Sequence, residues 1–220
     1  MKKLFFLFLL FCSIQASSQT EDAGAWMYFV LEKDLPDKFT TGIELDVRLN
    51  ENLSEARSIF SEVYLSKEWS DAFSSTLTYR ALARRNLENN YNDRDRLSLD
   101  LKYKLKVGEV SMQYRFRVQR RLGLLGSEGA LNSNFGYRHK VKATYDLNKK
   151  WEVSLAGESF YAAQNTSNLL QTDIRVKASL EYKVKKRNYL SFGYLVQREY
   201  NTVNPLTMYN AVVGYKLMIK

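Results

Sequence analysis

RDRLSLDLKYKLKVGEVSMQYRFRVQR, residues 94–120, is apolar at nearly every second position. Leu97, Leu99, Leu101, Tyr103, Leu105 and Val107 alternate with Arg96, Ser98, Asp100, Lys102, Lys104 and Lys106. After Gly108–Glu109 the pattern resumes, with Val110, Met112, Tyr114, Phe116 and Val118 against Ser111, Gln113, Arg115, Arg117 and Gln119. A period of two held over this length is a β-strand pattern and cannot be satisfied by a helix. It describes a sheet with one greasy face and one densely ionic face.

The register across the turn can be checked. A two-residue loop at Gly108–Glu109 puts Val107 opposite Val110, Leu105 opposite Met112, Tyr103 opposite Tyr114 and Leu101 opposite Phe116. The other face then sets Asp100 opposite Arg117, an oppositely charged cross-strand pair. A slip by one residue would destroy every match. Glycine leading a two-residue loop suits a primed hairpin turn.

The same alternation recurs at Phe39–Leu49, Phe73–Arg84, Phe135–Leu147, Ile174–Val184 and Tyr209–Ile219, and less cleanly at 57–68, 151–162 and 189–200. Short connections near 34–37, 69–71, 108–109, 148–150 and 186–188 alternate with longer polar ones near 50–56, 85–93, 122–134, 163–171 and 201–206. Pro36 and Pro205 both fall in connections, where a missing N–H costs no ladder bond. A secreted sandwich also alternates. Strands this long, two kinds of connection, and aromatic residues at strand ends favour a membrane barrel instead. Trp69, Trp151 and Tyr189 mark the short-turn side, and Tyr137, Tyr161, Tyr200 and Tyr209 the loop side. Lipid tolerates no open sheet edge, so the sheet must close. The expected fold is all-β, a transmembrane antiparallel up-and-down barrel of about 10–12 strands. Counted from Phe39 to Ile219 it has about ten strands and both ends in the periplasm, as an even barrel does. Trp26–Leu31 is then an extra segment, lining the lumen or lying in the periplasm.

Compartment is read from the first residues. Lys2 and Lys3, the apolar Leu4–Phe11 and the small Ala16–Ser18 form a secretory signal peptide, residues 1–18, ahead of one barrel domain at 19–220. The expected location is the outer membrane. The chain carries 33 Lys+Arg and 24 Asp+Glu; without Lys2 and Lys3 the balance is 31 against 24, or +7. Cys12 is the single cysteine and lies inside the signal, where the bulky Phe11 before it argues against a lipid anchor. No disulfide, thiolate metal site or cysteine nucleophile is then available.

The stretches YRFRVQRRL (114–122), GYRHKVKATYDLNKKWEVSLAGESF (136–160) and IRVKASLEYKVKKRNYLSFGYLVQ (174–197) resemble the uncharacterised outer-membrane barrels of Bacteroidetes-type bacteria, the family called domain of unknown function 2490. Trp26, Arg115, Arg117 and Glu158 fit the family's pattern. The resemblance implies a barrel of this kind and no activity. Lys220 departs from the aromatic C-terminus common among such barrels.

The greasy face meets lipid, and the ionic face lines the lumen. The expected lumen-lining residues are Arg96, Asp100, Lys102, Lys104, Arg115, Arg117, Arg138, Lys140, Lys142, Glu158, Arg175, Lys177 and Glu181. Two readings of that lumen stay open. Opposite charges pair and plug a narrow barrel, or the basic excess passes small anions. A third reading places an extracellular partner on the outer loops. Enzymatic chemistry has one low-ranked candidate, a lipid hydrolase using the sole histidine, outward-facing His139, with Ser159 opposite it across the 148–150 turn; no third group to orient the base is evident. Glu152, Glu158, Asp173 and Glu181, among so many inward arginines, are read as salt-bridge partners. Asn92–Asp95 lacks a full calcium ligand set. Gly123, Gly126 and Gly129 precede no helix and make no phosphate loop. Nothing calls for a cofactor. The basic residues alternate with lipid-facing ones, so nucleic acid is not an expected partner.

Overall fold

The computed structural model describes residues 20–86, 90–125, 135–163 and 169–219; the signal-peptide reading of 1–18, Gly126, Gly129 and Lys220 lie outside them. The described residues form one closed barrel of eleven strands. In chain order these are β1 (Thr20–Leu35), β2 (Phe39–Asn50), β3 (Glu55–Glu68), β4 (Phe73–Arg85), β5 (Tyr91–Val107), β6 (Val110–Arg121), β7 (Gly136–Asp146), β8 (Trp151–Ala163), β9 (Leu169–Lys185), β10 (Asn188–Glu199) and β11 (Leu206–Ile219).

The wall is built as the alternation requires. Ile43, Leu45, Val63, Leu77, Leu99, Leu155, Val176 and Val213 are exposed on its outer surface, while Asp46, Glu62, Thr78, Asp100 and Glu158 are buried on the inner one. A continuous apolar exterior of this extent is a membrane-facing surface. The hairpin of β5 and β6 pairs Val107 with Val110, Leu101 with Phe116 and Asp100 with Arg117. Gly108 sits at φ 60° at the head of its turn, the left-handed conformation for which glycine is suited.

Strand parity differs from the expected even closure. Residues 20–35 are not an extra segment. They form a full strand that lies between β2 and β11, antiparallel to β2 and parallel to β11. The seam runs from Thr20 opposite Leu206 to Lys33 opposite Ile219. β1 therefore starts at the end of the barrel where the longer connections lie, and β11 finishes at the opposite, short-turn end, so the first and last strands do not begin and end on the same side. The period of two is hidden in β1 because its inner face is also apolar. Trp26, Tyr28 and Val30 share the inward face, and Met27, Phe29 and Leu31 the outward one, so the sequence reads as an unbroken apolar run.

The seam has its own fittings. Outside, Phe29 stacks on Tyr215 with ring centroids 6.1 Å apart. Inside, the Tyr28 ring lies over Gly214, where any side chain would run into it. At the long-connection end, the Asp22 carboxylate accepts the backbone N–H groups of Glu51 and Asn52, both at 3.0 Å. It thereby ties β1 to a turn in which Glu51, Asn52 and Leu53 all have positive φ.

The girdle residues divide. Trp151 packs on Tyr182 at 4.5 Å on the outer surface. Tyr189 faces inward instead, in register with Lys216; it shares the parity of the buried Ser191 and Leu195 on β10, so plain alternation along the strand puts it on the lumen side.

The seam can be trapped chemically. Met27 and Val213 are register partners on the outer wall. The double variant Met27→Cys/Val213→Cys, in a Cys12→Ser background that removes the chain's one native thiol, is expected to form an intramolecular disulfide on mild oxidation, read by gel mobility with and without reductant. A barrel closed by β2 on β11 would leave these cysteines unpaired.

Candidate functional site

Inward positions of the strands converge on two neighbouring cavities. The larger, about 740 Å³, lies toward the long-connection end; a smaller one of about 310 Å³ lies beside it. Twelve Arg and Lys side chains line the larger cavity (Arg48, Arg57, Arg80, Arg84, Arg96, Arg115, Arg117, Arg120, Arg121, Arg138, Lys140 and Arg175), against five acids, Glu44, Glu62, Glu158, Asp173 and Glu199. Trp26, Glu44, Arg48, Lys140, Glu158 and Arg175 border both cavities and form the waist between them.

Register explains how the acids meet the bases. Asp100 on β5 faces Arg117 on β6, and the pair is bidentate: Nε donates to Oδ1 at 2.5 Å and Nη2 to Oδ2 at 2.8 Å. Arg115 lies 3.8 Å from the same carboxylate. Glu158 on β8 is a second hub, with Arg115 at 2.6 Å, Arg175 at 3.6 Å and Arg138 at 3.8 Å. Glu62 holds Arg80, and Asp46 holds Arg48 at 3.0 Å. Gln197 accepts from Arg175 Nη2 at 2.8 Å and donates to Asp173 at 2.7 Å.

A second kind of contact runs through the first. Guanidinium groups and aromatic rings alternate in a stack that crosses the lumen: Arg138 over Phe160 at 4.5 Å, Arg175 over Phe160 at 4.6 Å, Arg175 over Trp26 at 4.6 Å, Arg48 over Trp26 at 3.9 Å, Arg48 over Phe60 at 4.7 Å and Arg80 over Phe60 at 3.8 Å. Each contact attracts a cation to the negative face of a ring. Stacking uses the guanidinium face and leaves its in-plane N–H edge for oxygen acceptors. Trp26 on β1 reaches Arg175 on β9 past β11 and β10, whose residues in register beside it are Val212 and Gly193.

Of the residues expected from the sequence to line the lumen, Arg96, Arg115, Arg117, Arg138, Lys140, Glu158 and Arg175 border the larger cavity, and Lys177 the smaller. Asp100 is buried behind Arg117. Lys102 donates to Thr76 at 2.9 Å, Lys142 pairs with Glu152 at 3.4 Å, and Glu181 accepts from Ser191 at 3.4 Å. Lys104 is exposed near the short-turn end, opposite Gln113. Missing from that expectation are Arg48, Phe60, Glu62, Arg80 and Phe160; Trp26 enters it only through the 26–31 segment, read as lining the lumen or lying in the periplasm. Parity alone would have added Arg48, Glu62 and Arg80, since they sit on the ionic positions of β2, β3 and β4. The inward aromatics carry no such signal.

His139 lies opposite Ser159 in register. Its Nδ1, however, is hydrogen-bonded to the Tyr114 hydroxyl at 2.7 Å, and its ring packs among Phe116 and Tyr161 on the outer wall. Among the described residues no carboxylate is ion-paired with it, and no group of metal-ligating side chains occurs. Asp95 accepts the backbone N–H of Gly123 at 2.7 Å and of Leu124 at 3.2 Å, a use of its carboxylate within the protein itself.

The model of a family described as "Protein of unknown function (DUF2490)" matches residues 23–207, and the chain belongs to that family. No curated protein matches it. Among solved structures it is similar to the NanC porin, at 11% identity and a TM-score of 0.55, covering 90% of this chain and 99% of that one. A KdgM porin in complex with disordered oligogalacturonate has 18% identity and a TM-score of 0.49, covering 90% and 98%. The first likeness agrees with the barrel fold described above.

The Asp100–Arg117 pair gives a stability prediction. Asp100→Asn leaves a buried guanidinium without its counter-charge, and breaking such a pair costs about 3–5 kcal/mol. Asp100→Asn/Arg117→Gln removes both charges and is expected to cost clearly less. Urea titration of the refolded barrel in lipid, followed by tryptophan emission, reads the difference.

Proposed function

We propose that this member of the DUF2490 family is an outer-membrane barrel that passes small anionic solutes through a narrow basic lumen. It would reach that membrane through a signal peptide at 1–18, removed to leave a single barrel unit at 19–220. The observation that carries the reading is the larger cavity, lined by twelve cations and five acids in a closed apolar-walled barrel. Enclosed charge of one sign raises the local concentration of counter-ions and excludes co-ions. The apolar exterior supports lipid as the surrounding medium. The ring of expected lumen residues, Arg96, Arg115, Arg117, Arg138, Lys140, Arg175 and Lys177, would supply the attraction. Asp100, Glu158 and Glu181 would keep it from becoming a trap. His139 and Ser159 have no part in this reading, because the histidine is engaged by Tyr114.

Pairing at the waist favours a competing outcome, a barrel whose lumen is a polar core and conducts nothing. Conductance separates the two. Refolded protein, verified by a heat-dependent gel shift, is placed in a planar bilayer under a potassium chloride gradient. Discrete steps with a reversal potential displaced toward chloride are expected. Silence from folded protein, or preference for potassium, would overturn the channel reading.

A further inference from the structure

Glu158 and Asp100 are both buried carboxylates among arginines, but they are not equivalent. Asp100 uses both oxygens on one guanidinium and borders neither cavity. Glu158 stands at the waist, borders both cavities, and is approached by Arg115, Arg138 and Arg175 from three strands, with Lys140 opposite it in register. Each arginine brings five N–H donors, whereas a carboxylate offers about four acceptor sites. Donors are accordingly left over: Arg115 Nε and Arg138 Nε are buried and make no hydrogen bond.

We infer that the waist is an oxyanion-binding site whose resident occupant is the chain's own Glu158, and that it takes a second oxyanion, the carboxylate or phosphate group of a solute, in competition with that side chain. The donor excess provides the attraction. The tethered carboxylate limits it, so that a solute shares the arginines and is released again. A conducting site needs this balance, since binding must be favourable enough to admit an ion and weak enough to let it leave. Aromatic contacts hold the planes of Arg138 and Arg175 while their edges turn to oxygen. The inference deepens the anion-passing reading and takes its purpose from it, but binding at the waist is measurable without conduction.

The test compares wild type with Glu158→Gln in a Trp69→Phe/Trp151→Phe background, where Trp26 is the single tryptophan and touches Arg175. Inorganic phosphate and acetate are titrated separately against its emission in refolded protein. Removing one charge about 4 Å from the bound anion is expected to tighten Kd by at least about fivefold even with full aqueous screening. Tightening for phosphate alone, acetate alone or both supports the site and identifies the group it takes. Equal Kd values for both probes in folded Glu158→Gln overturn it. Should that variant not refold, Glu158→Asp, which keeps the charge but withdraws it by one methylene, decides instead: a smaller tightening is expected, and none overturns the site. A wild-type barrel that binds phosphate or acetate in this way yet shows no anion preference in the bilayer refutes the channel reading and not this one.

Discussion

Confining so many guanidinium groups inside one small barrel is the constraint that orders the interior. Each must be kept from its like-charged neighbours without being neutralised altogether. Three devices do this together. Carboxylates on adjacent strands take the strongest bonds, as Asp100 does for Arg117 and Glu62 for Arg80. Aromatic rings take the guanidinium faces and act as spacers, as Trp26 does between Arg48 and Arg175. Amides such as Gln197 bridge a cation to a more distant acid. None of these abolishes the basic excess, so the lining of the lumen stays net basic while remaining a packed structure.

The outer wall answers a simpler demand. A peptide group facing hydrocarbon must find its partner within the sheet, and the closed ladder provides one along the whole circumference. The side chains that ride on that ladder need only be apolar, which explains why the exterior tolerates a plain succession of Leu, Val, Ile and Tyr. The exceptions cluster near the rims. Asp95 is almost wholly buried at 1% exposure on an otherwise apolar strand face, because the chain after β6 supplies Gly123 and Leu124 N–H groups to it. His139 lies on the outer surface with a tyrosine hydroxyl as its partner.

Much of this was legible before any coordinates. The register of β5 and β6 follows from where Gly108 stands and from period two, and it delivers Asp100 to Arg117 without further assumption. His139 opposite Ser159 follows in the same way. What period two cannot show is a strand that is apolar on both faces, and β1 is such a strand. Nor can it show a contact between residues on strands that are not neighbours. The Trp26–Arg175 contact spans the width of β10 and β11, so it depends on barrel diameter and curvature, which only closure determines. Tyr189 reads as a girdle aromatic from its place at a strand end, but its parity with Ser191 and Leu195 turns it to the lumen.

The parallel seam between β1 and β11 has a consequence for how the molecule comes to exist. Hairpins can form as soon as their two strands are available, since their contacts are close in sequence. Thr20 and Leu206 belong to the first and last strands in the order described, and no hairpin joins them. Closure is therefore the slowest contact to find, because non-local pairing carries the largest loop-closure entropy. Until it forms, the first strand has one unpaired edge and an apolar inner face, and must be shielded from pairing elsewhere. The last strand in turn cannot be completed by its predecessor alone. An arc of eleven strands joined by ten pairings remains an open sheet, and the eleventh pairing, the seam, converts it into a barrel.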